Sequence, residues 1–413
     1  MEKDPQRFQE IIEEIRTAEG VLWAFPLFSL LVSSQYKRFI ELIRERNAVG
    51  AFQSRYAAVL STSINFYDKT AHGYIRAISE DLGMKYLGFY SANMNDLMKA
   101  GERGRLELFA EQLVDITNRA AARMYNPLNH RPVSLPLQPA KRPVSIAGKK
   151  IVVLTDVQPH QRHLQAMINR FTDSMDGEIA VYNLYDLDVK GSCLGCLRCG
   201  FEYRCAYTGK DGFTDFYNSK VKTTDVIVIA GAVVDRQLSW KWRQFFDGSF
   251  FNCHTLSLVG KQIAFLVSGP LSQLPELRQV YEDWMEIQQC NLVGFVSDEA
   301  DCAGALEESL DTLAARLIRL ADSCYVRPQT FLGKAGMKIF RDDIWGGLRI
   351  VFRADHKSYR RLGLYDFPQR RVGRRILVRL GWFITGLSGI RKRFPGLIMA
   401  QTVLPFQKVL RQA

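Results

Sequence analysis

Four cysteines fall within thirteen residues: Cys193-Leu194-Gly195-Cys196-Leu197-Arg198-Cys199, then Cys205. The spacing is C-x2-C-x2-C-x5-C. Thiolates three residues apart in a turning loop can converge on one centre, and four thiolates from one loop suit a [4Fe–4S] cluster. Zinc is an alternative, although structural zinc usually draws on two separated ligand pairs, often with histidine. An unmetallated remnant is the third reading. The other cysteines, Cys253, Cys290, Cys302 and Cys324, are scattered and read as ordinary buried thiols. A disulfide framework would instead spread cysteines through a small secreted domain.

The elements that would position this loop recur along the chain. Segments some 206 residues apart correspond: Val21–Ala24 with Val226–Ile229, Tyr36–Glu41 with Trp242–Asp247, Arg55–Ser61 with Lys261–Val267, and Leu87–Ser91 with Val293–Ser297. An amphipathic helix closes each copy, over Leu106–Arg119 and Ala305–Arg319. A shift of that size is a domain length. In the second copy, apolar runs at 151–154, 179–184, 226–230, 263–267 and 292–296 alternate with helical segments. Such alternation predicts a parallel sheet covered on both faces. The first copy enters only after the position of the cysteine loop, with Asp4 aligned to Asp211. It should therefore hold three strands and leave one sheet edge bare. Five prolines in 125–149 predict an extended connector. The expected layout is a partial unit over 1–124, a linker over 125–148, a full unit over 149–326 and a tail over 327–413.

The run Leu184-Tyr185-Asp186-Leu187-Asp188-Val189, the cysteines and Lys210-Asp211 together resemble the iron–sulfur flavoproteins. These belong to the NAD(P)H-dependent FMN reductases of flavodoxin-like fold. The resemblance covers about 149–325 and, in part, 4–123. It implies tandem flavodoxin-like units, FMN and a [4Fe–4S] cluster held by Cys193, Cys196, Cys199 and Cys205. The implied activity is electron transfer from a reduced donor, NAD(P)H or a ferredoxin-like protein, to an acceptor the sequence does not identify. The first copy's Pro26-Leu27-Phe28-Ser29 is similar to the family's ring-contacting loop, and Thr62-Ser63-Ile64-Asn65-Phe66 to the second loop there. Pro26, Leu27, Phe28, Ser29, Thr62, Ser63, Ile64 and Phe66 are thus the expected flavin contacts.

The departures are specific. The family cradles the FMN phosphate at a helix N-terminus after its first strand. Here that loop reads Thr155-Asp156-Val157-Gln158-Pro159-His160-Gln161-Arg162. Arg162 or His163 could meet a phosphate, and Asp156 would oppose it. A flavin site shared between copies or between subunits of a homo-oligomer is one expectation. A non-catalytic, cluster-bearing or docking subunit that has lost flavin is the rival. His72 could serve a substrate, although a capping or surface role is the plainer reading. Cys253-His254 reads as packing.

The net charge of +12 sits in one place. Residues 331–413 hold 18 of the 55 Lys/Arg and only 4 of the 43 Asp/Glu. The body thus carries no electrostatic footprint for nucleic acid. In the tail, Arg370, Arg371, Arg374, Arg375 and Arg379 are interleaved with Val372, Ile376, Leu377 and Leu380. As a helix this pattern is basic and amphipathic, suited to an acidic protein surface or to peripheral contact with an anionic membrane. The acidic start and the absence of an uninterrupted apolar run of about 20 residues lead to the expectation of a cytoplasmic protein.

Overall fold

The computed structural model describes residues 2, 4–63, 67–93, 95–117 and 127–365, with 372–373, 376–377, 379–380 and 384 in the tail. The first copy contains α1 (Pro5–Thr17), β1 (Gly20–Pro26), α2 (Ser34–Glu45), β2 (Tyr56–Ser63), α3 (Asp68–Asp81), β3 (Lys85–Asn93) and α4 (Ala100–Thr117). Its sheet is parallel with order β1-β2-β3. After the linker come β4 (Val144–Ser145), β5 (Ile151–Thr155), α5 (Arg162–Asp173), β6 (Met175–Asp176) and β7 (Ala180–Asn183). The cysteine loop holds the single turn α6 (Cys199–Glu202). There follow α7 (Phe213–Phe216), β8 (Val226–Val234), β9 (Gln237–Leu238), α8 (Trp240–Ser249), β10 (Gln262–Ser268), α9 (Pro275–Ile287), β11 (Asn291–Ser297) and α10 (Ala303–Asp322). The main sheet runs β11-β10-β8-β5-β7, the flavodoxin-like order 2-1-3-4-5.

The fold is therefore α/β with parallel sheets, and β1-β2-β3 repeats β8-β10-β11. Sheet register fixes the repeat more firmly than sequence matching does. Gly20 pairs with Tyr56, and Val226 pairs with Gln262. The shift is thus 206 at both strands, and Val21 corresponds to Ile227 rather than to Val226. A one-residue slip in a strand exchanges its two faces, so the correction matters. The irregularity between Ala57 and Ala58 against β3 recurs between Ile263 and Ala264 against β11, again 206 residues on.

The copies pack through equivalent helices, α2 on α8 and α3 on α9. Each helix offers a buried cation and acid one turn apart: Lys37–Glu41 at 3.0 Å and Arg243–Asp247 at 2.6 Å. Each acid accepts from the first backbone N–H of the opposite helix. Trp240 donates to Glu41 and Ser34 to Asp247, both at 2.7 Å. Each cation donates to a carbonyl of the opposite copy. Lys37 reaches Val234 and Arg243 reaches Phe28, both at 2.7 Å. All four side chains are buried. Charges so buried need a partner charge and hydrogen bonds, and here each copy supplies hydrogen bonds to the other's pair.

The faces of the two sheets differ in cover. Trp23 and Phe25 of β1 pack into a core with Ile40 and Ile43 of α2 and Ile75 and Ile78 of α3. On the other face Leu22 and Phe89 are about half exposed, at 52% and 53%. No described side chain of α4 is buried. In the second copy β5 lies where β1 has its open edge, and α5 and α10 seal the matching face.

Beyond α10 lie α11 (Phe331–Trp345) and α12 (Arg353–Arg361). One compact unit runs through His356 and a second comprises 357–413. In the second, Tyr359 and Tyr365 meet edge to face at 6.0 Å. Of the tail, residues 366–371, 374–375, 378, 381–383 and 385–413 lie outside the described residues, Arg370, Arg371, Arg374 and Arg375 among them. No described helix is long and apolar enough to cross a membrane.

Candidate functional site

All four loop cysteines line one pocket, together with Tyr207, Phe213, Phe250 and Phe251. Cys199 is buried, Cys193 and Cys205 are half-buried, and Cys196 is exposed. Burial pushes the Cys193 thiol up to about 11 and raises Cys205 as well. Cys199 is lowered, chiefly by a hydrogen bond from Cys253, which holds its own proton tightly. A metal entering here must displace protons from Cys193 and Cys205. Among the described residues no three His, Cys, Asp or Glu side chains converge as they would on one metal ion. The pocket that the cysteines share with the surrounding side chains encloses about 40 Å³, room for a few waters. The donor set, four thiols lining one pocket, suits a cluster.

Later segments hold the loop from behind. A Cβ on Gly200 would stand 2.3 Å from the Val351 carbonyl oxygen, so only glycine fits beneath that segment. The fully buried Asp355 accepts from Tyr203 OH at 3.1 Å, from Thr255 Oγ1 at 3.1 Å and from the His254 backbone at 3.2 Å. His254 Nδ1 lies 2.8 Å from the same carboxylate. His254 also packs against Phe340 and Phe352. The packing expectation for Cys253-His254 thus understated an anchored node.

The first copy's ring loop abuts the cysteine loop. Phe28 Cζ would lie 3.4 Å from a Cβ on Gly195, and Gln35 Nε2 donates to the Cys193 carbonyl at 3.5 Å. Pro26 ends β1, Leu27 N–H donates to the Thr62 carbonyl at 2.9 Å, and Phe28 and Leu31 exchange backbone bonds at 2.8 Å. Between them Ser29 and Leu30 have φ of 35° and 71°. Two non-glycine residues at positive φ form a strained tight turn, steadied by Arg243 on the Phe28 and Ser29 carbonyls. The equivalent Asp235 and Arg236 have φ of 45° and 63°. Thr62 and Ser63 end β2 beside this loop, whereas Ile64 and Phe66 lie outside the described residues.

His72 is neither a cap nor on the surface. It is buried in α3, 2.7 Å from Ser61 Oγ, and stacks on Phe89 at 4.3 Å. Burial lowers its pKa.

The loop after β5 does not suit a flavin phosphate. Asp156 is buried at its root, accepts from Ser239 Oγ, and is pushed up to about 6 by burial. Val157 N–H is taken by Thr155 Oγ1, Gln158 N–H by Gln161 Oε1, and Gln161 N–H by the Gln158 carbonyl. Arg162 opens α5 with an exposed side chain, and its N–H donates to the His160 carbonyl. Sequence reading missed His130 altogether. It lies in the proline-rich linker, and its Nε2 is 2.8 Å from the buried Asp298; nothing around it in the sequence signals a site.

Comparison with known proteins places a match on the first copy. Residues 1–94 match the family model "NADPH-dependent FMN reductase". No curated protein matches the sequence. Several solved structures are similar at low identity. RosB with a bound 8-demethyl-8-formylriboflavin-5'-phosphate intermediate is 12% identical, with TM-score 0.34, over 48% of this chain and 88% of RosB. Smu.1420 from Streptococcus mutans is 15% identical, with TM-score 0.31, over 41% and 99%. An FMN-dependent NADH-azoreductase from Bacillus anthracis is 12% identical, with TM-score 0.31, over 42% and 99%. These remain distant likenesses. The family match covers the ring loop and stops before the cysteines.

Proposed function

We propose that this chain is an oxidoreductase of the NAD(P)H-dependent FMN reductase kind, in which Cys193, Cys196, Cys199 and Cys205 hold a [4Fe–4S] cluster beside a flavin ring met by the first copy. The observation that carries the reading is the four-thiol pocket with Phe28 of the ring loop against its wall. When bound, flavin would exchange hydride for single electrons and the cluster would pass them on one at a time. The chain's own part is positional. Arg243, fixed by Asp247, holds the Phe28–Ser29 turn, and the Asp355 node holds the back of the cysteine loop. Pro26, Leu27, Phe28, Ser29, Thr62 and Ser63 supply the ring-side surface. Phosphate anchoring would come from somewhere other than the loop after β5. NAD(P)H or a small redox protein is the proposed donor.

Anaerobic reconstitution with iron and sulfide is expected to give about four of each per chain and broad visible absorption. Cys196→Ser should lose both. Stoichiometric zinc without iron overturns the cluster. A second reading, a cluster-bearing subunit without flavin, is favoured by the closed loop at Asp156. Identifying the chromophore released on denaturation, after incubation with excess FMN, separates the two.

A further inference from the structure

Cys253 occupies a backbone conformation ill suited to it. Its φ of 50° and ψ of −126° lie in a region that residues other than glycine rarely adopt. Such strain persists only where the surroundings impose it, and it gathers at functional positions. Here the constraints are visible on both sides. The preceding turn, Phe250–Asn252, packs on α6, and Cys253 N–H donates to the Phe250 carbonyl at 2.7 Å. The following residues, His254 and Thr255, are held by Asp355. Thr255 Oγ1 also bonds the hydroxyl of Tyr203, immediately after α6. The cysteine loop and the Cys253 turn are thus clamped together, and the Cys253 thiol meets the Cys199 thiol in a hydrogen bond. Both side chains are buried. Cys199 lines the four-thiol pocket, and Cys253 meets it from behind that lining.

We propose that Cys199 and Cys253 are a hydroperoxide-reactive pair that closes a disulfide when Cys199 holds no metal. The pocket has room for a few waters, and hence for hydrogen peroxide. Cys199 attacks one peroxide oxygen, the O–O bond breaks and water leaves, so that the sulfur becomes a sulfenic acid. Cys253 then attacks that sulfur. The S–S bond forms, the S–O bond breaks, and a second water leaves. The two thiols give two electrons to one peroxide, and their two protons end in the two waters. Position assigns the roles: Cys199 faces the pocket, and Cys253 stands behind it as the resolving thiol. The bond itself needs no metal. Its consequence rests on the cluster reading: a sulfur tied into the disulfide is lost as an iron ligand, so cluster and disulfide exclude each other at Cys199.

The bond is scored in metal-free protein, so that its failure and the failure of the cluster reading are read apart. Full-length protein stripped of metal is treated with an equimolar amount of hydrogen peroxide, quenched in acid, alkylated and mapped by mass spectrometry. The Cys199–Cys253 linkage is expected as the main new disulfide, and dithiothreitol should reverse it. Cys253→Gly, which suits a φ of 50°, should keep a cooperative melt and lose the linkage. With dimedone present, sulfenic acid trapped at Cys199 should rise several-fold over the parent. Cys290→Ser, at a buried thiol elsewhere in the second copy, should form the linkage as the parent does. The proposal is overturned if Cys199 pairs instead with Cys193, Cys196 or Cys205, if peroxide leaves Cys199 and Cys253 as free thiols, or if dimedone labels Cys199 equally in the parent and in Cys253→Gly.

Discussion

The two copies share strands, helices and even a bulge position, yet they meet solvent and ligands differently. The first keeps a proline-aromatic turn beside the cysteine loop and leaves one sheet face partly open at Leu22 and Phe89. The second has five strands, covered faces and a loop after β5 closed on itself. Side chains have diverged in compensating pairs. Phe25 and Tyr36 meet edge to face at 5.5 Å in the first copy. At the equivalent positions the second has Gly231 and Trp242, and a Cβ on Gly231 would stand 2.6 Å from the indole nitrogen. What stayed alike is the seam. Lys37–Glu41 and Arg243–Asp247 serve equivalent roles because each depends on the other copy's backbone. The shared interface constrains both halves, while each crevice has been free to change.

The largest effect should come from breaking that seam. Asp247→Ala removes Arg243's partner and the acceptor for Ser34 N–H. It leaves a buried cation uncompensated, at a cost of about 3–5 kcal/mol. Glu41→Ala should cost a similar amount by stranding Lys37. Denaturant unfolding of both variants tests the equivalence. A loss below about 1 kcal/mol in either would show that the pairing is geometric and not energetic.

A second test sharpens the contrast between the crevices. Asp156 has no counterpart in the described part of the first copy. Its folded pKa is about 6 against an ordinary 3.8, because burial favours the neutral acid. The folded state therefore keeps this proton to higher pH than the unfolded chain does. The stabilisation is fully present below pH 3.8 and is lost as pH rises through about 6. At 1.36 kcal/mol per unit, the window spans about 3 kcal/mol. Asp156→Asn should accordingly be more stable than the parent at pH 7, with the difference shrinking toward pH 4. Asp283, also raised to about 6 by burial, is present in both proteins and cancels. A difference independent of pH would remove Asp156 as the titrating group.

Much of this was legible in the sequence. The alternation of β-branched runs and helices gave both sheets, and the 206-residue shift survived because a repeated fold repeats its apolar pattern. Lys37, Glu41, Arg243 and Asp247 were visible as aligned residues, but their pairing across copies was not, since it depends on how two helices meet. The turns at Ser29-Leu30 and Asp235-Arg236 were hidden because they lack the Asn-Gly pair that announces positive φ. His130 was hidden because a lone histidine among prolines carries no signal until Asp298, 168 residues away, is brought beneath it. Residues 331–356 read as part of a basic tail, whereas Gly200, Tyr203 and His254 hold that segment against the cysteine loop.

The smallest expected effect compares two serines 206 residues apart, each the N-cap of an equivalent helix. Ser33 Oγ accepts from Tyr36 N–H at 3.4 Å at the start of α2, and Ser239 Oγ accepts from Lys241 N–H at 3.2 Å at the start of α8. Ser33→Ala should cost about 1 kcal/mol, the ordinary value of such a cap. Ser239→Ala should cost more, because that hydroxyl also donates to Asp156. Stranding a buried acceptor adds about 1–3 kcal/mol. The excess therefore belongs to Asp156 and not to the helix. In an Asp156→Ala background, Ser239→Ala should fall to the cost of Ser33→Ala. If it does not, the second copy's cap differs from the first for a reason other than the buried acid, and the closed loop after β5 is not what sets the two crevices apart.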